Sequence, residues 1–364
     1  MITSAHVGPP KLRVLHVLTS TQRRGAESFA LSVQRGLRER GHDTRPVALV
    51  GASHPPTLPV DPLGATHLGP ATLMGLRRAA ADVDVVVAHG SRTLPACALA
   101  LCFSRVPVVY VNIGDPLFWA NTPLRRARVR LMFRRLAAVA ARTEASRKAL
   151  IDHLGMRPAA VRVIGNGRRS SDFPPTDEHR RAAARKALGL DGAGDVVVHA
   201  GALAPEKRVD VLIDAVGRMD SSTRLVLAGD GLLRAELERQ ARAVLGDRAV
   251  FLGVRNDVAQ VLAAADVLAL ASDSEGLPGV VIEAGLVGIP VVATAVGFTS
   301  SVVVDGVTGV LVEPGDPVRM ARAVETALTA AEEMGAAGRR HCMEQFEMER
   351  ILDAWESLLH EVAR

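Results

Sequence analysis

The segment Ser272–Thr294, SDSEGLPGVVIEAGLVGIPVVAT, carries the reading of the fold. It follows a strand expected at Val267–Ala269 and passes through a turn-forming loop, Gly276, Leu277, Pro278 and Gly279. The apolar run after the loop reads as a short buried helix with Glu283 in its first turn, and Val291–Thr294 as the next buried strand. Strands that are apolar throughout, rather than alternating, belong to parallel sheets covered on both faces by helices. The N–H groups that open such a helix suit a phosphate. Glu275, on the loop, could accept hydrogen bonds from sugar hydroxyls, and Glu283 from the two hydroxyls of a ribose. Equally, the two glutamates read as a turn residue and a helix-start carboxylate, each worth less than about 1 kcal/mol through the helix dipole. Gly279–Phe298 is twenty residues long and largely apolar, but Glu283, Pro290 and its glycines argue against a membrane span.

Outward from this segment the same alternation of short β-branched runs and amphipathic stretches fills the chain. Strands are expected at Arg13–Thr19, Thr44–Val50, Val83–Ala88, Val106–Asn112 and Ala137–Arg142, with a helix at Glu27–Arg40 that stops at Gly41. After a Gly-, Ser- and Pro-rich break at Gly165–Thr176 the pattern restarts. Strands are then expected at Val196–Ala200, Arg224–Ala228, Val250–Leu252, Val267–Ala269 and Val291–Thr294. Helices are expected at Val209–Arg218, Leu232–Leu245 and Pro317–Ala330, with an amphipathic segment at Glu349–Arg364. The expectation is an α/β protein of two doubly wound, Rossmann-like domains facing a central cleft, with ligands at the carboxyl ends of the strands.

A length of 364 residues agrees with two domains. The formal charge of +5 hides a division: residues 1–172 carry 25 Lys and Arg against 10 Asp and Glu, and residues 173–364 carry 19 against 29. Aromatic residues are only 3%, too few for the stacking platforms of a single-strand nucleic-acid binder. Three cysteines, Cys97, Cys102 and Cys342, are an odd number without framework spacing and read as buried thiols of a reducing compartment. The opening MITSAHVGPPKL has no apolar signal core, so the expectation is a cytoplasmic protein. No His/Cys/Asp cluster has metal-ligand spacing, and no metal or cofactor is expected. Arg125, Arg126, Arg128, Arg130, Arg134 and Arg135 fall in PLRRARVRLMFRRL (Pro123–Leu136), expected as one helix with Val129, Leu131, Met132 and Phe133. It reads either as a contact for an anionic membrane surface or as a solvated face over core residues.

The spacing Glu275-x7-Glu283 within SEGLPGVVIEAGLVGIPVV resembles the signature of the retaining glycosyltransferases of family 4, which have the GT-B fold. Other segments are similar to that family's in order: RRGAESFAL (Arg23–Leu31), the linker VIGNGRRSSDFPP (Val163–Pro175), GALAPEKRVDVLIDA (Gly201–Ala215), LVLAGDGLLRAELE (Leu225–Glu238) and VFLGVRNDVAQVLAAADVLALAS (Val250–Ser272). The resemblance implies an acceptor-binding domain over 1–170, a donor-binding domain over 171–346, and a helix over 347–364 that packs back on the first. It implies a transfer of one sugar from a nucleotide-diphosphate-sugar, with retention, to a hydroxyl of a glycolipid or polysaccharide precursor, or of a small soluble acceptor. Lys207 would neutralise the donor diphosphate, Glu275 would hold the sugar and Glu283 the ribose. His89 would hydrogen-bond the transferred sugar, Gly25 would let backbone approach the phosphates, the backbone of Val254 and Arg255 would read the base, and Asn166 would fix the hinge.

This chain departs from the family pattern at defined places. Ala202 stands in Gly201-Ala202-Leu203 where the family has an arginine, so a second phosphate cation is missing unless Arg208 supplies it. Arg24 replaces the first glycine of the N-terminal loop, Gly297-Phe298-Thr299-Ser300 lacks the usual acidic residue, and Arg168 and Arg169 follow Gly167 where the linker has Val-Asp. These departures keep two alternatives open: a catalytically weakened nucleotide-sugar-binding protein, and a sugar-nucleotide epimerase of the same fold.

Overall fold

The computed structural model describes residues 10–22, 25–52, 58–114 and 116–364, with backbone only at Phe118 and Trp119. The opening segment 1–9 and Arg23 and Arg24 lie outside the described residues. The chain divides into two compact units, Met1–Gly165 with Glu349–Arg364, and Asn166–Met348.

In the first unit, strands β1 (Arg13–Ser20), β2 (Asp43–Val50), β3 (Pro62–Gly64), β4 (Val85–His89), β5 (Val108–Asn112), β6 (Ala138–Ala141) and β7 (Val161–Val163) form one sheet in the order β3-β2-β1-β4-β5-β6-β7. Every pairing is parallel. All five residues of β4 and of β5 are buried, as strands covered on both faces must be. The order reverses between β1 and β4, the arrangement in which loops at the carboxyl ends of those two strands diverge and leave room for a ligand. The final helix, Met348–Ala363, belongs to this unit from Glu349 onward. Its Leu352 packs so closely on the helix Gly25–Glu39 that a Cβ on Gly36 would lie 2.4 Å from Leu352 Cδ1. Arg40 pairs with Glu349, Asp353 and Glu356 of the same helix, and Trp355 is fully buried.

The second unit contains β8 (Val196–Ala200), β9 (Arg224–Ala228), β10 (Ala249–Gly253), β11 (Val267–Leu270), β12 (Val291–Thr294) and β13 (Gly309–Val312), ordered β10-β9-β8-β11-β12-β13 and again all parallel. The two-residue period of a strand assigns its side chains to opposite cores. Val196, Val198, Leu268, Leu270, Val291 and Ala293 enter one core, and Val197, Val267, Ala269 and Val292 enter the other. The switch point lies between β8 and β11. The helix Gly279–Val287 is pressed against the helix Ala331–Phe346 through small residues; a Cβ on Gly285 would meet Cys342 Sγ at 2.4 Å.

Three strands were not anticipated: β3, β7 and β13. Each is three or four residues long, too short for a periodic signal, and each takes the edge of its sheet. The cysteine expectation needs correcting as well. Cys97 and Cys342 are buried and burial pushes each thiol up to about 12, but Cys102 is exposed just beyond the helix Thr93–Ala100.

Candidate functional site

In the second unit the residues singled out by the sequence converge at the carboxyl ends of β8 and β11. After β8 the chain makes a 3₁₀ turn, Pro205–Lys207, which presents Lys207. Lys207 Nζ donates to Glu275 Oε1 at 2.7 Å, and Ser272 Oγ donates to the same oxygen at 2.7 Å. The Asp273 N–H donates to the Glu206 carbonyl at 2.8 Å, so backbone as well as side chains ties the two loops together. Arg208 is the one non-glycine among the described residues with positive φ, 45°. Such a conformation costs on the order of 1–3 kcal/mol and persists only where surroundings enforce it. Here the guanidinium is held by Asp210 on one side, at 3.0 Å, and Asp273 on the other, at 3.4 Å. The nitrogens of Arg208 are therefore engaged with carboxylates of its own unit.

Close backbone approaches set the rest of this region. Gly229 has φ +148°, and a Cβ there would lie 1.8 Å from the Gly201 carbonyl oxygen. A Cβ on Gly231 would be 2.4 Å from that of Leu203. The Gly-Asp-Gly turn after β9 thus abuts the loop that leads to Lys207. Gly297, at φ +57°, would place a Cβ 1.8 Å from the Glu275 carbonyl oxygen, and the Phe298 N–H donates to Gly276 at 3.4 Å. Leu277 is buried in the core, while Val254 is about half exposed and Arg255 pairs with Asp257.

The position of Glu283 corrects the sequence expectation. The helix starts at Gly279 with Pro278 as its N-cap, one residue earlier than a loop over Gly276–Gly279 implies. Glu283 is the fifth helical residue, and no acidic residue lies in the first turn. Its partner is the linker residue Arg168, whose Nε donates to Glu283 Oε1 at 2.6 Å. Asn166 joins linker and loop: its Nδ2 donates to the Leu277 carbonyl at 3.3 Å, and its Oδ1 accepts from Arg168 Nη1 at 2.8 Å. The sequence marked Arg168 only as a departure and did not single out Ser272.

In the first unit, His89 ends β4 beside the switch point and is 3% exposed. Its Nε2 faces Nδ1 of His16, on β1, at 3.0 Å, with the rings stacked 5.3 Å apart. Burial holds both imidazoles well below the usual histidine range, His16 at about 3, so both are uncharged at neutral pH. His89 Nδ1 and His16 Nε2 have no hydrogen-bond partner among the described residues. The His16 partnership was not foreseen, since the two residues are 73 apart in sequence and only the β1–β4 register brings them together. Gly25 opens the helix Gly25–Glu39, and a Cβ there would meet nothing within 4 Å among the described residues.

The arginine-rich segment forms the helix Pro123–Phe133, shorter than expected, with Thr122 as N-cap. Arg134 is its C-cap, and Arg135 lies beyond it, donating to the carbonyls of Leu101, Ser104 and Val106. The helix buries Val129 and Phe133. On the opposite face, at i, i+4 and i+7, Leu124 and Leu131 are 82% and 63% exposed and flank exposed Arg128. No helix among the described residues is long and apolar enough to cross a membrane.

Two family profiles match this chain, "Glycosyltransferase Family 4" over residues 23–170 and "Glycosyl transferases group 1" over 194–330. Among curated proteins it is similar to the D-inositol 3-phosphate glycosyltransferase of Geodermatophilus obscurus, 34% identical over 59% of this chain and 50% of that one. It is also similar to the N-acetyl-alpha-D-glucosaminyl L-malate synthase of Bacillus anthracis, 30% identical over 50% of this chain and 49% of that one. The chain spans about half the length of these curated relatives. Among solved structures, Anabaena HepE in complex with UDP and glucose superposes with a TM-score of 0.83 at 25% identity, covering 96% of this chain and 100% of that one. Two parallel sheets that each reverse at a switch point, a Glu275–Glu283 pair on the second and these matches agree: the chain belongs to glycosyltransferase family 4 and has the GT-B fold.

Proposed function

We propose that this chain is a retaining glycosyltransferase that moves one sugar from a nucleotide-diphosphate-sugar to an acceptor hydroxyl. The observation that carries the proposal is the Lys207–Glu275–Ser272 cluster at the carboxyl ends of β8 and β11. A cation fixed in place before substrate arrives costs no reorganisation when charge develops on a leaving diphosphate. In this reading the bond between the anomeric carbon and the β-phosphate oxygen breaks, with its electron pair going to the phosphate that Lys207 faces. The acceptor oxygen bonds to the same carbon on the same face, and its proton passes to the departing phosphate. Glu275 holds the sugar hydroxyls, Glu283 the ribose, and Val254 and Arg255 lie by the base. Nδ1 of His89, buried and without a hydrogen-bond partner among the described residues, is the atom this reading assigns to a sugar hydroxyl. The cations that offset the diphosphate are protein groups, so turnover is expected to persist in excess EDTA; a loss restored by Mg²⁺ would overturn that part.

A thermal-shift screen against nucleotide-sugars tests donor binding, because a ligand that binds only the folded state raises stability with the logarithm of its concentration over Kd. UDP-sugars come first, since UDP is the nucleotide held by Anabaena HepE. The expected result is a shift with one base, and turnover only when acceptor is present. Interconversion of the donor without acceptor would favour an epimerase, and a shift without turnover in an acceptor-containing extract would favour a binding protein.

For the acceptor, the exposed Leu124–Arg128–Leu131 face supports delivery to a membrane-associated glycolipid or polysaccharide precursor on an anionic surface. The names of the relatives support the other reading, a small anionic acceptor, which the excess of basic residues in 1–172 would also attract. Co-sedimentation with anionic liposomes, lost in a variant with Leu124→Ser, Arg128→Gln and Leu131→Ser, decides for the membrane. Equal sedimentation of both proteins would remove it.

A further inference from the structure

Arg168 is held more completely than an incidental linker arginine. Its backbone is pinned by two hydrogen bonds, from its N–H to the Phe346 carbonyl at 2.9 Å and from the Met348 N–H to its own carbonyl at 3.0 Å. Its side chain is 16% exposed and that of Glu283 14%. A guanidinium has five N–H donors. The one on Nε goes to Glu283, and Nη1 donates to Asn166 Oδ1 and to the Gly167 carbonyl. Nη2 has no hydrogen bond to a described residue. It lies against Gly279, the first residue of the helix Gly279–Val287, only 2.0 Å from where a Cβ would be. The N-cap of that helix, Pro278, offers no side-chain cap. Two guanidinium hydrogens therefore stand beside the first turn of a helix, in the unit where the family resemblance implies a second phosphate cation that Ala202 does not provide and Arg208 is held by Asp210 and Asp273.

Resting on the donor-site reading above, we propose that Arg168 supplies that second cation. Its Nη2 binds the phosphate nearest the ribose, while its Nε fixes the carboxylate that receives the ribose hydroxyls. One guanidinium thus spans the sugar–phosphate junction of the nucleotide, and its fixed fork suits that task better than an ammonium group. Pairing with Glu283 also keeps a largely buried carboxylate from lying uncompensated beside the incoming phosphates.

The test separates phosphate from ribose. Isothermal titration of the full chain with UDP, GDP and ADP selects the base, and the matching nucleoside, monophosphate and diphosphate are then titrated into wild type, Arg168→Lys and Arg168→Met. Arg168→Lys keeps a charge for Glu283 but withdraws the donor over Gly279. It is expected to lower affinity for monophosphate and diphosphate about tenfold or more, with nucleoside affinity within threefold of wild type and an unchanged melting temperature. Arg168→Met is expected to lose the same phosphate increment and to melt lower, because Glu283 is left unpaired. An unchanged gain from nucleoside to monophosphate in Arg168→Lys overturns the proposal and leaves Arg168 as the partner of Glu283 alone. Wild-type protein that binds none of the nucleotides overturns the donor-site reading, and this one with it.

Discussion

The two switch points of this molecule differ in the polar groups that gather beside them. Beside β8 and β11, next to one buried neutral imidazole, His199, most polar groups are ions cross-linked in pairs: Lys207 with Glu275, Arg168 with Glu283, Arg208 with Asp210 and Asp273. Beside β1 and β4 they are two uncharged imidazoles, His16 and His89, sealed from water with one nitrogen each unpartnered among the described residues. Paired ions can exchange partners with an arriving anion, whereas a buried neutral imidazole can only make or accept an ordinary hydrogen bond. In the proposed reading, this difference gives phosphate chemistry to one unit and hydroxyl recognition to the other. The charge of the halves does not foretell this, since the net negative stretch is the one proposed to bind the anionic donor.

The comparison breaks most visibly at Lys207. Lys207→Ala removes the fixed cation and leaves Glu275 with Ser272 alone. Turnover is expected to fall by about 10²–10³, as for loss of one preorganised charge-stabilising donor, while the melting temperature changes little because the lysine is partly exposed. Turnover within a few-fold of wild type, measured as acceptor-dependent nucleotide release, would deny the ionic unit its assigned role.

Next in size is Gly297→Ala. The added Cβ would overlap the Glu275 carbonyl, and φ of +57° is unfavourable for alanine. A loss of about 1–3 kcal/mol of stability is expected, together with weaker donor binding, since the loop that must retreat carries Glu275. Chemical denaturation and nucleotide titration on the same variant check both. Full donor affinity in a destabilised variant would show that the position of the loop does not matter to the donor.

These two positions also mark how far the sequence could be read. The strand pattern of β8, β9, β11 and β12 was legible to within a residue because buried parallel strands are largely continuous apolar runs. Lys207, Glu275 and Glu283 were legible because fixed spacing within one loop or one helix is a local property. What joins them was not. The Glu206–Asp273 backbone bond and the Arg168–Glu283 pair link positions 67 and 115 residues apart, and depend on which strand ends the topology makes neighbours. For the same reason Arg168 read as a defect in a motif, and His16 as one more residue of a core strand.

The imidazole unit is broken by acid. Burial lowers His16 to about 3, whereas an unfolded histidine titrates near 6.5. Between these values the unfolded chain binds the extra proton, so this group's contribution to stability is constant above pH 6.5 and falls as pH drops below it. Each such histidine contributes about 1.4 kcal/mol per pH unit. His199, lowered by burial to about 4, adds the same trend from the other unit. His16→Asn should therefore flatten the dependence of unfolding free energy on pH between 6.5 and 4.5 by about one proton's worth. An unchanged slope would mean that the imidazole pair is hydrated.

The smallest effect is expected at Gly25, and it tests whether the first unit touches the donor through backbone. The family resemblance gives this glycine the task of letting backbone approach the phosphates, which a side chain would obstruct. Among the described residues nothing requires a glycine there: a Cβ would meet none of them within 4 Å at the start of the helix Gly25–Glu39. Alanine loses less backbone freedom on entering a helix than glycine does. Gly25→Ala should accordingly leave stability within about 1 kcal/mol of wild type, on the more stable side, and leave the KM for donor unchanged. A KM raised tenfold at constant melting temperature would mean that the space over Gly25 is where a phosphate sits. The division of labour between the ionic and the imidazole unit would then be incomplete, because both would contribute to holding the anion.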